Sequence, residues 1–241
     1  MSDYRRANDE EHAHRVREMF AAIAGRYDLL NHLLSGHIDK RWRRLVARRL
    51  WESMGSTGSV LDVACGTGDL SLTLSEATGA RVVGTDFCRP MLEIAARKIA
   101  NCAPDIPLIE GDALRLPFQD CSFDAVTIAF GLRNLSDVER GLAELLRVLK
   151  PGGFIAVLEF SKPVLPGFRL LFNAYFTRVL PFFGGLLSGS KRAYQYLPDS
   201  VARFPDQKDL SSLMHKVGIE SIEYENLTGG IAALHIGKRP R

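Results

Sequence analysis

The sequence predicts an α/β fold with a doubly wound, mostly parallel sheet of seven strands. Apolar, β-branched runs alternate with helix-length amphipathic patterns over residues 59–161, as in parallel sheets covered by helices on both faces. The first run ends in a glycine-rich turn before a helix. The last two runs flank Gly229 and Gly230, which predicts an antiparallel closing hairpin.

Residues 1–50 predict a helical cap. Apolar residues recur there with helical spacing, and Val16, Met19 and Ile23 fall on one face. A basic run over residues 40–49 surrounds Trp42. Such a run is typical of a solvated helix face, and it would also suit anionic phospholipid headgroups.

Strand and helix patterns then alternate through the rest of the chain. Pro90 lies near the start of one helix, and Gly152 with Gly153 indicates the end of another. In chain order the patterns predict strands at 60–63, 81–85, 107–110, 123–129, 153–161, 219–226 and 230–238, with helices from 69, from 90, over 136–149 and over 206–217.

The first strand-to-helix turn is the most informative stretch, Ser59-Val-Leu-Asp-Val-Ala-Cys-Gly-Thr-Gly-Asp69. Gly66 and Gly68, with Thr67 between them, allow a ligand to approach the backbone closely. The helix that follows directs its free N–H groups at that ligand. The dinucleotide fingerprint fails because Ser71 replaces its third glycine, and no Walker A lysine follows.

Three acidic residues follow or close successive apolar runs: Asp62, Asp86 and Asp112. The carboxyl ends of parallel strands meet at one edge of a sheet, so we expect these carboxylates to converge on one ligand. Asp86 is placed for a ribose diol, Asp112 with the N–H of Ala113 for an adenine amine, and Asp62 for a positively charged tail. Each aspartate alone would suit a helix cap or a solvated turn. Together they favour a cationic adenosine ligand with an amino-acid tail, S-adenosylmethionine.

The chain resembles the class I S-adenosylmethionine methyltransferases, and within them the C-methyltransferases of menaquinone and ubiquinone biosynthesis. The resemblance rests on Gly25-Arg-Tyr-Asp-Leu-Leu-Asn31 leading to Trp42, Val60–Asp69, Phe130-Gly-Leu-Arg-Asn134 and Arg147–Ser161, and it continues in Tyr194–Leu197 and Leu227–His235. The glycine-rich segment is shared by very many methyltransferases, whereas the first, third and last segments are characteristic of the quinone branch. The family commonly has Met, His and Ser where this chain has Leu30, Asp39 and Ala129. No role is therefore carried over to the side chains of Asp39 and Ala129.

This resemblance implies a Rossmann-like enzyme that methylates a ring carbon of demethylmenaquinol to give menaquinol. A 2-polyprenyl-6-methoxy-1,4-benzoquinol of the ubiquinone route, or both acceptors, is the nearest alternative. Arg133 and Asn134, at the carboxyl end of the strand 123–129, are the polar pair expected at the reacting centre. Arg133 would favour the phenolate of the quinol, and Tyr27 is the third candidate catalytic residue, in a segment that folds over the cofactor. No metal is required, because the sulfonium of the cofactor already carries an activated methyl group.

Two hypotheses from other classes stay open. One is methylation of a sterol or a fatty-acyl chain, against which the segments Phe130–Asn134 and Leu227–His235 argue. The other is a non-enzymatic, cofactor-binding scaffold of a quinone-synthesis assembly, which the loss of the three aspartates would have favoured.

Composition restricts the partners and the compartment. A net charge of +3 over 241 residues is too small to indicate a nucleic-acid partner. The four cysteines have neither C-x-x-C pairing nor zinc spacing, so no metal site or disulfide framework is predicted. We expect a cytoplasmic protein associated peripherally with the inner face of the cell membrane, because the tail of a polyprenyl quinol lies in the bilayer. A homodimer or a quinone-biosynthesis complex is compatible with the sequence.

One methyltransferase domain is predicted over residues 1–241. Its segments are a helical cap (1–50), a cofactor-binding core (51–162), an apolar lid or substrate insertion (163–204) and a closing helix with hairpin (205–241). The stretch 163–189 is strongly apolar but is interrupted by Pro181 and by arginines, so it predicts a core helix or an interfacial lid and not a membrane span.

Overall fold

The computed structural model describes residues 2–55, 58–102, 105–164 and 191–241, and it contains the predicted seven-stranded sheet. Its strands are β1 (Ser59–Val63), β2 (Arg81–Asp86), β3 (Leu108–Glu110), β4 (Phe123–Ala129), β5 (Leu149–Phe160), β6 (Glu220–Leu227) and β7 (Ala232–Lys238). Their order across the sheet is β3-β2-β1-β4-β5-β7-β6. The first five strands pair in parallel, and β7 runs antiparallel to both β5 and β6. The fold class predicted from the sequence is thus confirmed.

Helices flank this sheet along the described chain. They are α1 (Ser2–Ile23), α2 (Tyr27–Ser35), α3 (Ile38–Met54), α4 (Asp69–Thr78), α5 (Arg89–Cys102), α6 (Val138–Val148), α7 (Lys191–Arg203) and α8 (Gln207–Lys216). The first three account for the predicted N-terminal helical pattern. None of the helices among these described residues combines the length and the apolar character that crossing a bilayer requires.

The start of β5 corrects one expectation. The strand begins at Leu149 and not at residue 153, so Gly152 and Gly153 lie inside it and do not separate it from the preceding helix. A Cβ on Gly153 would stand 2.7 Å from the carbonyl oxygen of Asp124 on β4. The pairing of β4 with β5 also shifts register at this point. Here the glycine pair allows an irregular, close approach of two strands.

Both faces of the sheet are buried, as alternate residues of β1 illustrate. Val60 packs in one apolar cluster with residues of α3, α4 and α5, among them Leu50 and Leu74. Leu61 packs in the other cluster with residues of α6 and α8, among them Leu145 and Met214. Burial on both faces explains why the parallel strands are continuous apolar runs in the sequence. It also leaves the carboxyl ends of the strands as the edge where polar side chains collect.

The apolar part of the predicted lid lies almost entirely outside the described residues, since positions 165–190 fall between the described ranges, whereas most of the rest of the segment 163–204 forms α7. The division of the chain into cap, core, lid and closing segments stays a prediction.

Candidate active site

The turn after β1 has the conformation that its glycines predict. Gly66 and Gly68 have φ values of 56° and 82°, in the left-handed region that favours glycine. A Cβ on Gly66 would meet no atom within 4 Å, so the space beside this residue is open. A Cβ on Gly68 would stand 3.2 Å from the Cβ of Ala95, so this glycine also lets α5 pack against the start of α4.

A cleft opens beside this turn at the carboxyl ends of the strands. It is lined by six residues that the sequence predicted for the site: Tyr27, Gly66, Asp86, Asp112, Ala113 and Asn134. Residues of α1 cover it, and the His12 ring nitrogen Nε2 lies 3.0 Å from the Asn134 carbonyl oxygen. The remaining volume is about 80 Å³. Ligand pockets usually measure about 300–1,000 Å³, so the cleft is narrow beside the residues of α1 that cover it.

Two aspartates of the cleft are held by backbone N–H groups. Asp86 accepts hydrogen bonds from the N–H of Gly66 and from the N–H of Cys88, each at 2.8 Å. Burial raises the pKa of Asp86 to about 6, and these hydrogen bonds oppose the rise. Asp112 accepts from the N–H of Leu114 at 2.9 Å. Both carboxylates are therefore oriented before a ligand arrives.

Three other predicted cofactor residues are not among the residues that line the cleft: Asp62, Thr67 and Gly68. Asp62 is buried on β1, where its carboxylate accepts from the hydroxyls of Ser71 at 2.6 Å and Thr127 at 3.0 Å. Burial raises its pKa to about 6. Its position under the turn favours an influence through charge over the direct ligand contact that the spacing predicted.

Thr67 joins the turn to the helical cap. Its hydroxyl donates to Oδ1 of Asp28 at 2.5 Å, and Lys98 donates to Oδ2 of the same carboxylate at 2.8 Å. Lys98 also contacts Asp69, the first residue of α4. No sequence motif indicates a role for Lys98, which lies within an amphipathic helix. These contacts connect α2, α4 and α5 around the turn.

Asp39 stands where the family commonly has His, and it pairs with cationic and polar groups of the cap. The Asp39 carboxylate accepts hydrogen bonds from Arg43 at 2.7 Å and from Ser35 at 2.8 Å. The ring nitrogen Nδ1 of His32 lies 2.8 Å from the same carboxylate. Burial raises its pKa, but the Ser35 hydrogen bond and the Arg43 charge outweigh burial, and the net pKa is lowered. His32, Asp39 and Asp69 form the one group of three potential metal ligands in the described ranges. Arg43 lies 3.1 Å from Asp69 and already supplies a positive charge to that group.

The segment Phe130–Asn134 packs directly on the cofactor turn. A Cβ on Gly131 would stand only 2.5 Å from the Cβ of Ala64, so glycine is required for this contact. The last three residues form a short 3₁₀ helix. Asn134 then reaches the cleft, and its Nδ2 donates to the carbonyl of Phe130 at 3.1 Å.

Arg133 faces a second cavity, of about 660 Å³, on the far side of this segment. Tyr196, Ser200 and Arg203 of α7 form another part of its wall. The cleft and the second cavity share three lining residues, His12, Leu135 and Ser136. Asn134 lines the cleft and Arg133 lines the second cavity, and the region beside them where the two linings overlap is called the junction below.

The positive charge of Arg133 influences the pKa of two tyrosines. Burial raises the pKa of both Tyr27 and Tyr196, and in both the positive charge of Arg133 opposes the rise. A hydrogen bond with Asn31 acts on Tyr27 in the same direction. The structure thus brings the predicted catalytic residues Tyr27, Arg133 and Asn134 together around the junction of the two spaces.

Unpaired buried polar atoms mark the same junction. Within the described ranges, Arg133 Nε, Asn134 Oδ1 and Ser136 Oγ have no hydrogen-bond partner. Buried polar groups in folded proteins are nearly always paired. One donor, one acceptor and one hydroxyl are therefore left without a partner beside the two cavities.

Sequence reasoning missed two residues of this junction. Glu159 is 1% exposed and accepts from Nη1 of Arg133 at 2.6 Å. An acidic residue inside the apolar run of β5 was the available signal. Tyr196 lay in the segment Tyr194–Leu197 that carried the family resemblance, but no role was assigned to it.

The chain is similar to one known protein family and to named proteins. Residues 7–239 match the model of the ubiE/COQ5 methyltransferase family. A Thermus thermophilus protein named demethylmenaquinone methyltransferase is 53% identical over 92% of this chain and 100% of its own length. A Geobacter protein named ubiquinone/menaquinone biosynthesis C-methyltransferase UbiE is 46% identical over 95% of this chain and 98% of its own.

Solved structures agree on the fold. A Thermotoga maritima protein described as an S-adenosylmethionine-dependent methyltransferase, possibly a histamine N-methyltransferase, superposes with a TM-score of 0.64. The match covers 92% of this chain and 99% of that one at 20% identity. Identity this low shows a shared fold and carries no information about the acceptor.

Proposed function

The chain belongs to the ubiE/COQ5 methyltransferase family, and we propose that its acceptor is demethylmenaquinol, methylated on a ring carbon to give menaquinol. It is an S-adenosylmethionine-dependent C-methyltransferase of quinone biosynthesis. The observation that carries the proposed acceptor site is the adjacency of the cofactor cleft, lined by Asn134, and a larger cavity, lined by Arg133. The Thermus relative bears the name of the menaquinone reaction.

The lining of the cleft suits S-adenosylmethionine. Bound there, the cofactor supplies a methyl group on a positively charged sulfur. We assign the ribose hydroxyls to Asp86 and the adenine amine to Asp112, with the N–H of Ala113 beside it. The amino-acid tail is assigned to the turn Gly66-Thr67-Gly68, where the backbone beside Gly66 is open. Asp62, beneath the turn, favours a cationic ligand through its charge.

The acceptor side supplies groups that suit a quinol ring. A free phenol has a pKa of about 10, and the Arg133 guanidinium favours the phenolate that makes the adjacent ring carbon nucleophilic. Asn134 Oδ1 can accept a hydrogen bond from the other ring hydroxyl. In the transfer, the methyl carbon leaves sulfur as its bond to the ring carbon forms, and the ring proton then leaves to water. We assign to Tyr27, with Asn31, the role of orienting the ring or of passing that proton to water.

The acceptor is tested by competition. The purified protein receives labelled S-adenosylmethionine with equal amounts of chemically reduced short-chain demethylnaphthoquinol and methoxybenzoquinol. We expect methyl transfer to the naphthoquinol with the larger kcat/KM, and none to either oxidised quinone, because the quinone ring is electron-poor. A larger kcat/KM for the benzoquinol would move the assignment to the ubiquinone route. Cofactor binding without transfer to either would favour the scaffold hypothesis.

An anionic membrane surface is the second partner that we propose, and it accounts for the predicted location at the inner face of the cell membrane. Four exposed cations recur along one face of α3: Lys40, Arg41, Arg44 and Arg48. Each basic residue near an anionic surface contributes about 1 kcal/mol. A homodimer or a larger complex stays a prediction.

Vesicle sedimentation tests this surface. We expect binding to phosphatidylglycerol vesicles, weak binding to phosphatidylcholine vesicles, and loss of the difference when the four cations become Gln. Equal binding of the wild-type protein to both vesicles would refute the assignment.

A further inference from the structure

Glu159 is a fully buried carboxylate at the carboxyl end of β5, one residue before the strand ends. Burying a carboxylate without partners costs free energy. The partners of a buried carboxylate therefore indicate its role. Every hydrogen bond that the Glu159 carboxylate makes within the described ranges comes from Arg133 or from the N–H of Phe160. No residue of the cofactor turn takes part.

The contacts between Glu159 and Arg133 fix both the backbone and the side chain of the arginine. Oε2 accepts from the Arg133 N–H at 3.2 Å, and Oε1 accepts from Nη1 at 2.6 Å. The same Nη1 donates to the carbonyl of Phe130 at 2.5 Å. The Phe160 ring lies 5.1 Å from the guanidinium carbon. One nitrogen of the guanidinium is thus anchored, while Nε stays unpaired.

The cavity beside Arg133 makes this anchoring necessary. A space of about 660 Å³ gives a long side chain room to swing away from the junction. Without Glu159, the Phe130 carbonyl is the remaining hydrogen-bond anchor of the guanidinium among the described residues. Misplacing a reacting group by about 1 Å can cost about 100-fold in rate.

We infer that Glu159 is a positioning residue, which holds the Arg133 guanidinium toward the oxygen of the acceptor. The inference rests on the proposed function, in which Arg133 stabilises the phenolate. The negative charge of Glu159 by itself opposes a phenolate nearby. Loss of that charge alone would speed the reaction, whereas loss of positioning slows it, so the two effects have opposite signs.

The test compares Glu159→Gln and Glu159→Asp with a matched control. Glu144→Gln removes a carboxylate that holds Arg147 at 2.8 Å and 3.0 Å, at a place outside both cavities. We expect both Glu159 variants to lose kcat, by about 10- to 100-fold, with the calorimetric affinity for S-adenosylmethionine unchanged. The rising limb of the pH–rate profile should move to higher pH, because a misplaced Arg133 stabilises the phenolate less. Glu144→Gln should keep the wild-type kcat and profile.

Combination with Arg133→Ala separates this inference from the proposed function. If Glu159 acts through Arg133, then Glu159→Gln causes no further loss in the Arg133→Ala background. Two results for Glu159→Gln overturn the positioning role even when Arg133→Ala is slow. One is a wild-type kcat, and the other is a rising limb of the pH–rate profile that moves to lower pH. If Glu159→Gln does not fold, Glu159→Asp keeps the charge but shortens the reach, and a wild-type kcat in that variant has the same meaning. A wild-type kcat in Arg133→Ala refutes the role of Arg133 itself, and no transfer by the wild-type protein refutes the acceptor.

Discussion

The two sides of the site differ in how completely their polar groups are satisfied. On the cofactor side, defined here by the turn Gly66–Gly68 with Asp62, Asp86 and Asp112, all three carboxylates already accept hydrogen bonds from the protein. On the acceptor side, defined by Tyr27, Arg133, Asn134 and Tyr196, buried atoms of Arg133 and Asn134 have no partner in the described ranges.

This difference indicates two binding strategies. On the cofactor side, Asp86 and Asp112 are held by backbone N–H groups and Asp62 by two hydroxyls, so the carboxylates are oriented by the protein itself. On the acceptor side, we propose that the unpaired atoms favour a ring that carries matching oxygens. Variants of the two sides should therefore fail in different measurements.

The largest effect is expected from Arg133→Ala. Removing one preorganised group that stabilises developing negative charge costs about 100- to 1,000-fold in kcat. The calorimetric Kd for S-adenosylmethionine should stay at the wild-type value, because Arg133 does not line the cleft. Arg203→Ala, on another wall of the same cavity, is the control and should lose much less. An equal loss of cofactor affinity in Arg133→Ala would remove the distinction between the two sides.

Asp86→Ala should show the opposite pattern. A hydrogen bond to a charged group contributes about 1.5–3 kcal/mol, so the Kd for S-adenosylmethionine should rise about 10- to 100-fold. At saturating cofactor, kcat should change far less than in Arg133→Ala. Glu110→Ala removes an exposed carboxylate from the neighbouring strand end and should leave the Kd unaltered. A wild-type Kd in Asp86→Ala would exclude it from the cofactor site.

The pH dependence of cofactor binding further distinguishes the cofactor side from the acceptor side. The pKa of Asp86 is about 6 without ligand, and a cationic ligand with hydroxyl donors stabilises the ionised form and lowers that pKa. Affinity must then rise as pH increases through about 6 and level off above it, by about tenfold from pH 5 to pH 7.5. Asp86→Asn should retain a weaker slope, because Asp62 also has a pKa of about 6. Calorimetry over this range measures both, and a flat wild-type curve is incompatible with this assignment.

The smallest effect is expected where the two sides are connected. Asp28 accepts from Thr67 of the turn and follows Tyr27 of the acceptor side. Losing about one hydrogen bond costs about 1 kcal/mol, so Thr67→Val should raise the KM for cofactor and acceptor together, about fivefold. Asp28→Ala removes the same contact and also the contact with Lys98, so the double variant should be no worse than Asp28→Ala alone. Additive losses would mean that Asp28 and Thr67 act separately.

The same difference explains what could be predicted from the sequence. Gly66, Asp86 and Asp112 were predictable because each lies at the end of a strand, where local pattern determines position. The hydrogen bonds of Asp62 with Ser71 and Thr127 could not be predicted, because the positions of these two residues around it depend on packing. Glu159 and Tyr196 reach Arg133 from distant segments, and only the folded chain brings them together.

The most direct test follows the methyl group itself. The wild-type protein is given trideuteriomethyl S-adenosylmethionine and reduced short-chain demethylnaphthoquinol, and the product is oxidised in air and analysed by mass spectrometry and NMR. The account predicts a quinone that carries the deuterated methyl on a ring carbon. A deuterated methyl ether, which cannot be oxidised to the quinone without losing its methyl group, would contradict the proposed alignment of the ring carbon with the cofactor.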